Sequence, residues 1–193
     1  MRSLLHWVGC LGILAVGGNA KKCLTTTPLT VSGECGEHEV TFQTTVEKNR
    51  VAVRINPGEK SESTFTNVTK LFLNVAGCEV ELAIVPGLFL TAQNSHSFSA
   101  PLDGLLVIVE QTGNYSLFSA STGLQRFYKC PSKQVYFDDY GTQKTARVSV
   151  RLTKKEPSLK LEFVESKLWT VSSVRRLSVL SITFILTVFS LLM

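Results

Sequence analysis

The cysteines carry the clearest chemistry in this sequence. Cys10 sits inside an apolar N-terminal segment, which leaves Cys23, Cys35, Cys78 and Cys130, an even set. The closest spacing among them is 12 residues. Structural zinc needs close pairs such as C-x2-C, so no metal is expected, and no other cofactor is suggested. Two disulfides in an oxidising compartment are expected instead, with three connectivities open, each bridge stabilising the fold by roughly 2–4 kcal/mol.

A second chemical feature is basic. Lys144, Arg147, Arg151, Lys154, Lys155 and Lys160 gather late in the chain. Val148, Val150 and Leu152 alternate with Arg147, Ser149 and Arg151, the pattern of a half-buried strand. Arg147 and Arg151 then share a face about 13 Å apart, at ~3.3 Å per residue. Such a stripe fits sulfated glycans through charge-assisted hydrogen bonds. An ordinary solvated face with salt pairs to Glu156 and Glu162 fits the same residues.

Catalysis finds little support. Beyond His6, the histidines are His38 and His96, both in polar, turn-like surroundings that suggest exposed loops. No Gly-x-Ser-x-Gly, His-Glu-x-x-His or phosphate loop occurs. Asp138 and Asp139 are adjacent, and neighbours on a strand point to opposite faces. A loop or turn role is expected for them, and the chain is not expected to be an enzyme. Two glycosylation sequons, Asn67-Val68-Thr69 and Asn114-Tyr115-Ser116, suit surface positions in a secreted domain.

The elements that must position these residues read as strands. Val40–Thr44, Arg50–Ile55, Lys70–Val75, Glu79–Val85, Tyr115–Phe118, Leu124–Lys129 and Gln134–Phe137 are short, β-rich runs. Asn56-Pro57-Gly58 and Pro86-Gly87 punctuate them as turns. Leu105–Val109 is continuously apolar, so a strand buried on both faces is expected. No helical stripe is evident. Eight to ten strands with frequent turns predict an all-β, immunoglobulin-like β-sandwich stapled by about two disulfides.

The ends predict an address. Arg2, the apolar run Leu4–Val16 and Gly18-Asn19-Ala20 form a signal peptide over residues 1–20. Residues 177–193 carry no charge and follow Arg175-Arg176, which suits a removable glycolipid-anchor signal or a short membrane anchor. Small residues for lipid attachment are Ser172, Ser173 and, further back, Ser166. The sandwich is expected over 21–155 and a stalk or spacer over 156–176, where Leu159, Leu161 and Phe163 leave an edge strand as the other reading. Setting aside Arg2, Arg175 and Arg176 leaves 17 basic against 15 acidic residues, a net charge of +2 instead of +5. That balance does not point to nucleic acid.

Several short patterns appear in a telling order. Cys23 precedes Thr27-Pro28-Leu29-Thr30-Val31, then Glu39-Val40-Thr41-Phe42, Val85-Pro86-Gly87, Ser97-Phe98-Ser99-Ala100-Pro101, Arg126-Phe127-Tyr128-Lys129-Cys130 and Arg147-Val148-Ser149-Val150. From Cys23 to Leu152 the chain resembles one domain of the surface-antigen-related sequence family of coccidian parasites. It departs from the family's six cysteines, with Thr44 where one would stand and Cys35 upstream instead. If Cys35 replaces the family's second cysteine, the resemblance implies Cys35–Cys130 and Cys23–Cys78 bridges. It further implies a glycolipid-anchored antigen on the outer face of the plasma membrane. Such a protein would attach to host-cell glycans or receptors and meet host immunity, with a homodimer allowed. A contrasting expectation is a lumenal, single-span subunit of an endoplasmic reticulum membrane complex.

Overall fold

A computed structural model describes residues 23–57, 68–93, 96–101, 104–131 and 134–173. The expected signal peptide, Asn67 and the apolar segment 177–193 lie outside the described residues. Strands follow one another almost without interruption: β1 (Leu24–Thr26), β2 (Leu29–Ser32), β3 (Val40–Val46), β4 (Arg50–Asn56), β5 (Thr69–Val75), β6 (Cys78–Val85), β7 (Leu88–Gln93) and β8 (His96–Pro101). Then come β9 (Leu105–Glu110), β10 (Asn114–Ser119), β11 (Gln125–Lys129), β12 (Asp138–Tyr140), β13 (Gln143–Leu152), β14 (Lys160–Val164) and β15 (Leu168–Ser173).

These strands form the expected all-β sandwich. Sheet A runs β1-β2-β14-β4-β9-β10-β11, and sheet B runs β15-β3-β13-β5-β6-β7-β8 with β12 beside β13. Period-two alternation sets the inner faces: Val51, Val53 and Ile55 of β4 and Leu71, Leu73 and Val75 of β5 are fully buried. Phe42 of β3 meets Phe163 of β14 edge to face at 5.0 Å, joining the sheets through the core. At one open end Lys144 Nζ donates to Asn49 Oδ1 (2.9 Å) and Gln111 Oε1 (3.0 Å), tying β13 to two turns of sheet A.

The bridges are Cys23–Cys35 and Cys78–Cys130, which corrects the pairing implied by the family resemblance. Local topology explains the difference. β1 and β2 form a hairpin with Leu24 opposite Val31, and a 3-10 turn at Gly33–Cys35 folds back over its start. Cys35 thereby comes within 5.7 Å of Cys23, Cα to Cα. Cys130 ends the β11 edge of sheet A and meets Cys78 at the start of β6, so this second bridge clamps sheet to sheet.

Three other expectations are corrected. The sandwich does not stop at residue 155. β14 lies inside sheet A, with Leu161 between Val31 and Ile55, and β15 pairs with β3, so residues 160–173 belong to the sandwich and not to a stalk. Leu159, Leu161 and Phe163 are buried because β2 and β4 both need a neighbour that faces the core. Leu105–Val109 does not bury both faces: Leu106 and Ile108 are half-exposed while Leu105, Val107 and Val109 are fully buried. Gln134–Phe137 is irregular, although Val135 and Phe137 are buried, and the strand begins only at Asp138.

A buried carboxylate fastens the β13–β14 connection. Glu156 accepts a hydrogen bond from Thr69 Oγ1 (2.6 Å) and an ion pair from Lys154 Nζ (3.1 Å). Its carbonyl lies so close to Gly33 that a Cβ there would stand 2.1 Å from it, which leaves room only for glycine.

Candidate functional site

The outer face of sheet B gathers part of the basic set. Arg147, Ser149 and Arg151 project outward from β13, between β3 and β5. Register places Gln43 beside Arg147, Thr41 and Asn74 on either side of Ser149, and Phe72 beside Arg151. The Arg151 guanidinium carbon stands 4.6 Å from the Phe72 ring centroid, a cation–π contact that holds the side chain across the strand.

Two shallow depressions adjoin these arginines and share Glu39, Asn74 and Ser149. One, of about 530 Å³, is lined by Arg147, Asp138 and Tyr136; the other, of about 490 Å³, by Arg151, Phe72, Glu79 and Glu81. They form one trough along the sheet. Tyr136 is 66% exposed on its wall. Lys70 and Glu81 pair at 2.7 Å at its far side. Among the described residues neither Arg147 nor Arg151 forms an ion pair. Glu39, Glu79 and Asp138 interleave with them, so the trough presents two cationic points on a mixed background.

The other basic residues go elsewhere. Lys144 bridges the sheets at the open end. Lys154 is engaged with Glu156, as one of the expected salt pairs. Lys155 is exposed in the following loop. Lys160 lies on β14 of sheet A, opposite Ser32 and Asn56, and Glu162 pairs with Arg54 at 3.2 Å. The stripe read from the sequence is therefore divided, because strand parity separates Lys144 from Arg147 and the β13–β14 crossover carries Lys160 to the other sheet.

Other sequence features fall as follows. His38 is exposed after the 3-10 turn, whereas His96 opens β8 and is not on a loop. Asp138 and Asp139 lie on the short strand β12, opposite Thr145 and Lys144, and not in a turn. Among the described residues no group of three or more His, Cys, Asp or Glu could hold a metal ion, and no helix is long and apolar enough to cross a membrane. Asn114 opens β10, with Nδ2 donating to Thr112 Oγ1 at 3.2 Å. Ser166 sits in the β14–β15 turn, its hydroxyl 3.5 Å from the Val164 carbonyl, while Ser172 and Ser173 end β15.

Aromatic surface was the part missed in the sequence. Phe127 is 72% exposed on β11, and Tyr140 stacks on Trp169 at 5.7 Å between β12 and β15. Parity within Gln125–Lys129 predicts that Phe127 and Tyr128 face opposite ways. No local signal pairs Tyr140 with Trp169, which lie on separate strands.

No protein-family model matches the chain, and no curated protein matches it. Similar solved structures include the binding domain of botulinum neurotoxin DC in complex with SialylT, at 10% identity and a TM-score of 0.28, covering 86% of this chain. The botulinum neurotoxin serotype G binding domain aligns at 10% identity and a TM-score of 0.24, covering 84% of this chain. The present chain spans 40% of either of those chains, and alignments this loose say nothing of what it binds.

Proposed function

We propose that this chain is a membrane-tethered cell-surface glycoprotein whose sandwich takes part in attachment to other cells, using the Arg147–Arg151 trough to hold acidic, sulfated glycans. The observation that carries the reading is the pair of guanidiniums on one outward face of β13, set on an open surface with Phe72 and Tyr136. Two cations about 13 Å apart suit alternate sulfates on an extended sugar chain, at ~3.3 Å per strand residue. The resemblance to the surface-antigen-related sequence family points the same way, as do two disulfides of the kind formed outside the cytosol.

The tether reading gains a preference among its serines. Lipid attachment at Ser172 or Ser173 would keep β15 on the mature protein. Attachment at Ser166 would remove it, together with the Lys167 N–H bond to Thr45 Oγ1 and the Thr44 Oγ1 bond to the Lys167 carbonyl, both 2.9 Å. Ser172 and Ser173 are therefore the preferred sites.

The test uses intact cells expressing the full chain. Phosphatidylinositol-specific phospholipase should release the protein, and the released form should bind immobilised heparin. Replacing Arg147→Ala and Arg151→Ala together should lower the eluting salt concentration, while Lys144→Ala should leave it unchanged. Elution of the double variant at the parental salt concentration removes the glycan reading. Carbonate-resistant retention in the endoplasmic reticulum, with no phospholipase release, favours the lumenal-subunit alternative.

A further inference from the structure

The outer face of sheet A carries an apolar band with a sequon at its corner. Cross-strand register sets Phe127, Ser116, Ile108, Ala52 and Val164 in one row across β11, β10, β9, β4 and β14. Phe118 and Leu106 extend it into the next row, where Gln125 and the Arg54–Glu162 pair bound it. Most of these residues are half-buried, yet Phe127 is 72% exposed at the sheet edge. This open benzyl group, with Phe118 as its apolar diagonal neighbour, offers a covering group a place to lie.

Asn114 shares that face. It lies two residues before Ser116 on β10, and Ser116 is directly opposite Phe127. Phe127 is thus the diagonal cross-strand neighbour of Asn114, and such neighbours lie about 7–8 Å apart, within reach of long side chains. We propose that the N-glycan on Asn114 is the cover: its first N-acetylglucosamine lies over the Phe127 ring and the adjoining band. The apolar C–H face and acetyl methyl of that sugar suit an aromatic surface, while its hydroxyls stay in water. Attachment forms a bond from Asn114 Nδ2 to the sugar's anomeric carbon and breaks that carbon's bond to the diphosphate of the secretory pathway's lipid-linked donor; the lipid diphosphate leaves and the displaced Nδ2 proton is lost to solvent. The glycosylated nitrogen keeps one N–H, a donor still within reach of Thr112 Oγ1. Lys129, opposite Asn114, closes the corner with charge.

This inference rests on the secretory reading, and the experiment separates the two. The full chain is expressed in a secretory cell line as the parent, Asn67→Gln, Asn114→Gln and Phe127→Ala forms. Disulfide formation and removal of the leader test the secretory reading by themselves. A glycosidase mobility shift in the Asn67→Gln form tests the modification at Asn114, and its absence in correctly secreted protein overturns the inference alone. Glycan is then trimmed after purification to a single N-acetylglucosamine, so folding of a variant is not at issue. The trimmed Asn67→Gln protein should melt about 2–4 °C above the fully deglycosylated one and bind less of a hydrophobic dye. In the Phe127→Ala background that difference should vanish. An equal difference in both backgrounds, or no difference in either, overturns the proposal. Dimerisation of the glycosylated protein through this face also overturns it, since a second copy would then be the cover.

Discussion

The two outer faces of one sandwich differ in where their apolar side chains gather. On sheet B the outward residues of β13, β5 and β6 are Arg147, Ser149, Arg151, Lys70, Asn74, Glu79 and Glu81, with Phe72 held under a guanidinium. On sheet A the outward positions of β4, β9 and β10 are mixed: Ala52, Leu106, Ile108 and Phe118 form an apolar centre, with Arg50, Arg54, Glu110, Asn114 and Ser116 among and around them. Antiparallel sheets commonly dry one face and wet the other, and sheet B obeys. Sheet A adds an apolar patch to its outer face, bounded by Arg50, Glu110, Lys129 and the Arg54–Glu162 pair. Under the proposals above, the two faces take distinct tasks: sheet B would meet a polar ligand, and the glycan on Asn114 would cover the apolar centre of sheet A.

The severest way to break this comparison is to part the sheets. Cys78 and Cys130 join β6 to the end of β11 over a separation of 52 residues, whereas Cys23 and Cys35 close a separation of only 12 within one sheet. Cys78→Ala with Cys130→Ala should lose about 4 kcal/mol, and Cys23→Ala with Cys35→Ala nearer 3, if loop length governs the effect. Urea midpoints compare the pairs. Equal losses, or a larger one at Cys23, would show that the two faces do not depend on the inter-sheet clamp.

A single lysine on each face sharpens the contrast at a smaller scale. Ala52 lies between Ile108 and Val164 across the strands and between Arg50 and Arg54 along β4, so Ala52→Lys sets a third cation beside two others over an apolar patch and should destabilise by about 1 kcal/mol. Ser149 lies between Arg147 and Arg151 on the open trough. Ser149→Lys should change stability by less than about 0.5 kcal/mol while raising the salt needed to elute the protein from heparin. The same urea series, with heparin elution alongside, checks both. Equal stability losses would mean that the faces are energetically alike.

The contrast was only half legible in the sequence. Alternation in Arg50–Ile55 and in Arg147–Leu152 announced strands and their faces, because the period-two rule acts locally. Nothing local revealed that Leu161 would fill a slot between β2 and β4, since that depends on pairing with residues more than a hundred positions earlier. The same limit hid the outer band of sheet A. Leu106 and Ile108 read as core in a continuous apolar run, and only the β4-β9-β10 register turns them outward. For the site, Arg147 and Arg151 were visible as a pair on one face. Strand parity already sets Lys144 apart from that pair, but the separation of Lys160 was not legible, because a crossover between sheets leaves no mark on spacing.

The mildest perturbation tests the inner side of the strand that carries Phe127. Tyr128, its neighbour, points inward and stacks on Tyr115 at 5.1 Å. Burial raises the pKa of Tyr115 above the ordinary phenolic value, and the Tyr128 phenol adds to the effect. Burial also raises Tyr128, with Arg126 working against it, and the Tyr128 hydroxyl is buried without a hydrogen-bond partner among the described residues. Both phenols thus stay protonated in the folded state at pH values where an unfolded tyrosine, with a pKa of about 10, has ionised. Below pH ~10 neither state loses a proton and stability is flat with respect to these groups. Above it the unfolded chain binds fewer protons than the folded one, so stability falls as pH rises. Tyr115→Phe keeps the stacked ring and removes one ionisable group. Its urea midpoint should decline less steeply than the parent's between pH 10 and 11, by up to about 1.4 kcal/mol per pH unit, and match the parent's slope at pH 8. Parallel decline across that range would place the alkaline sensitivity elsewhere.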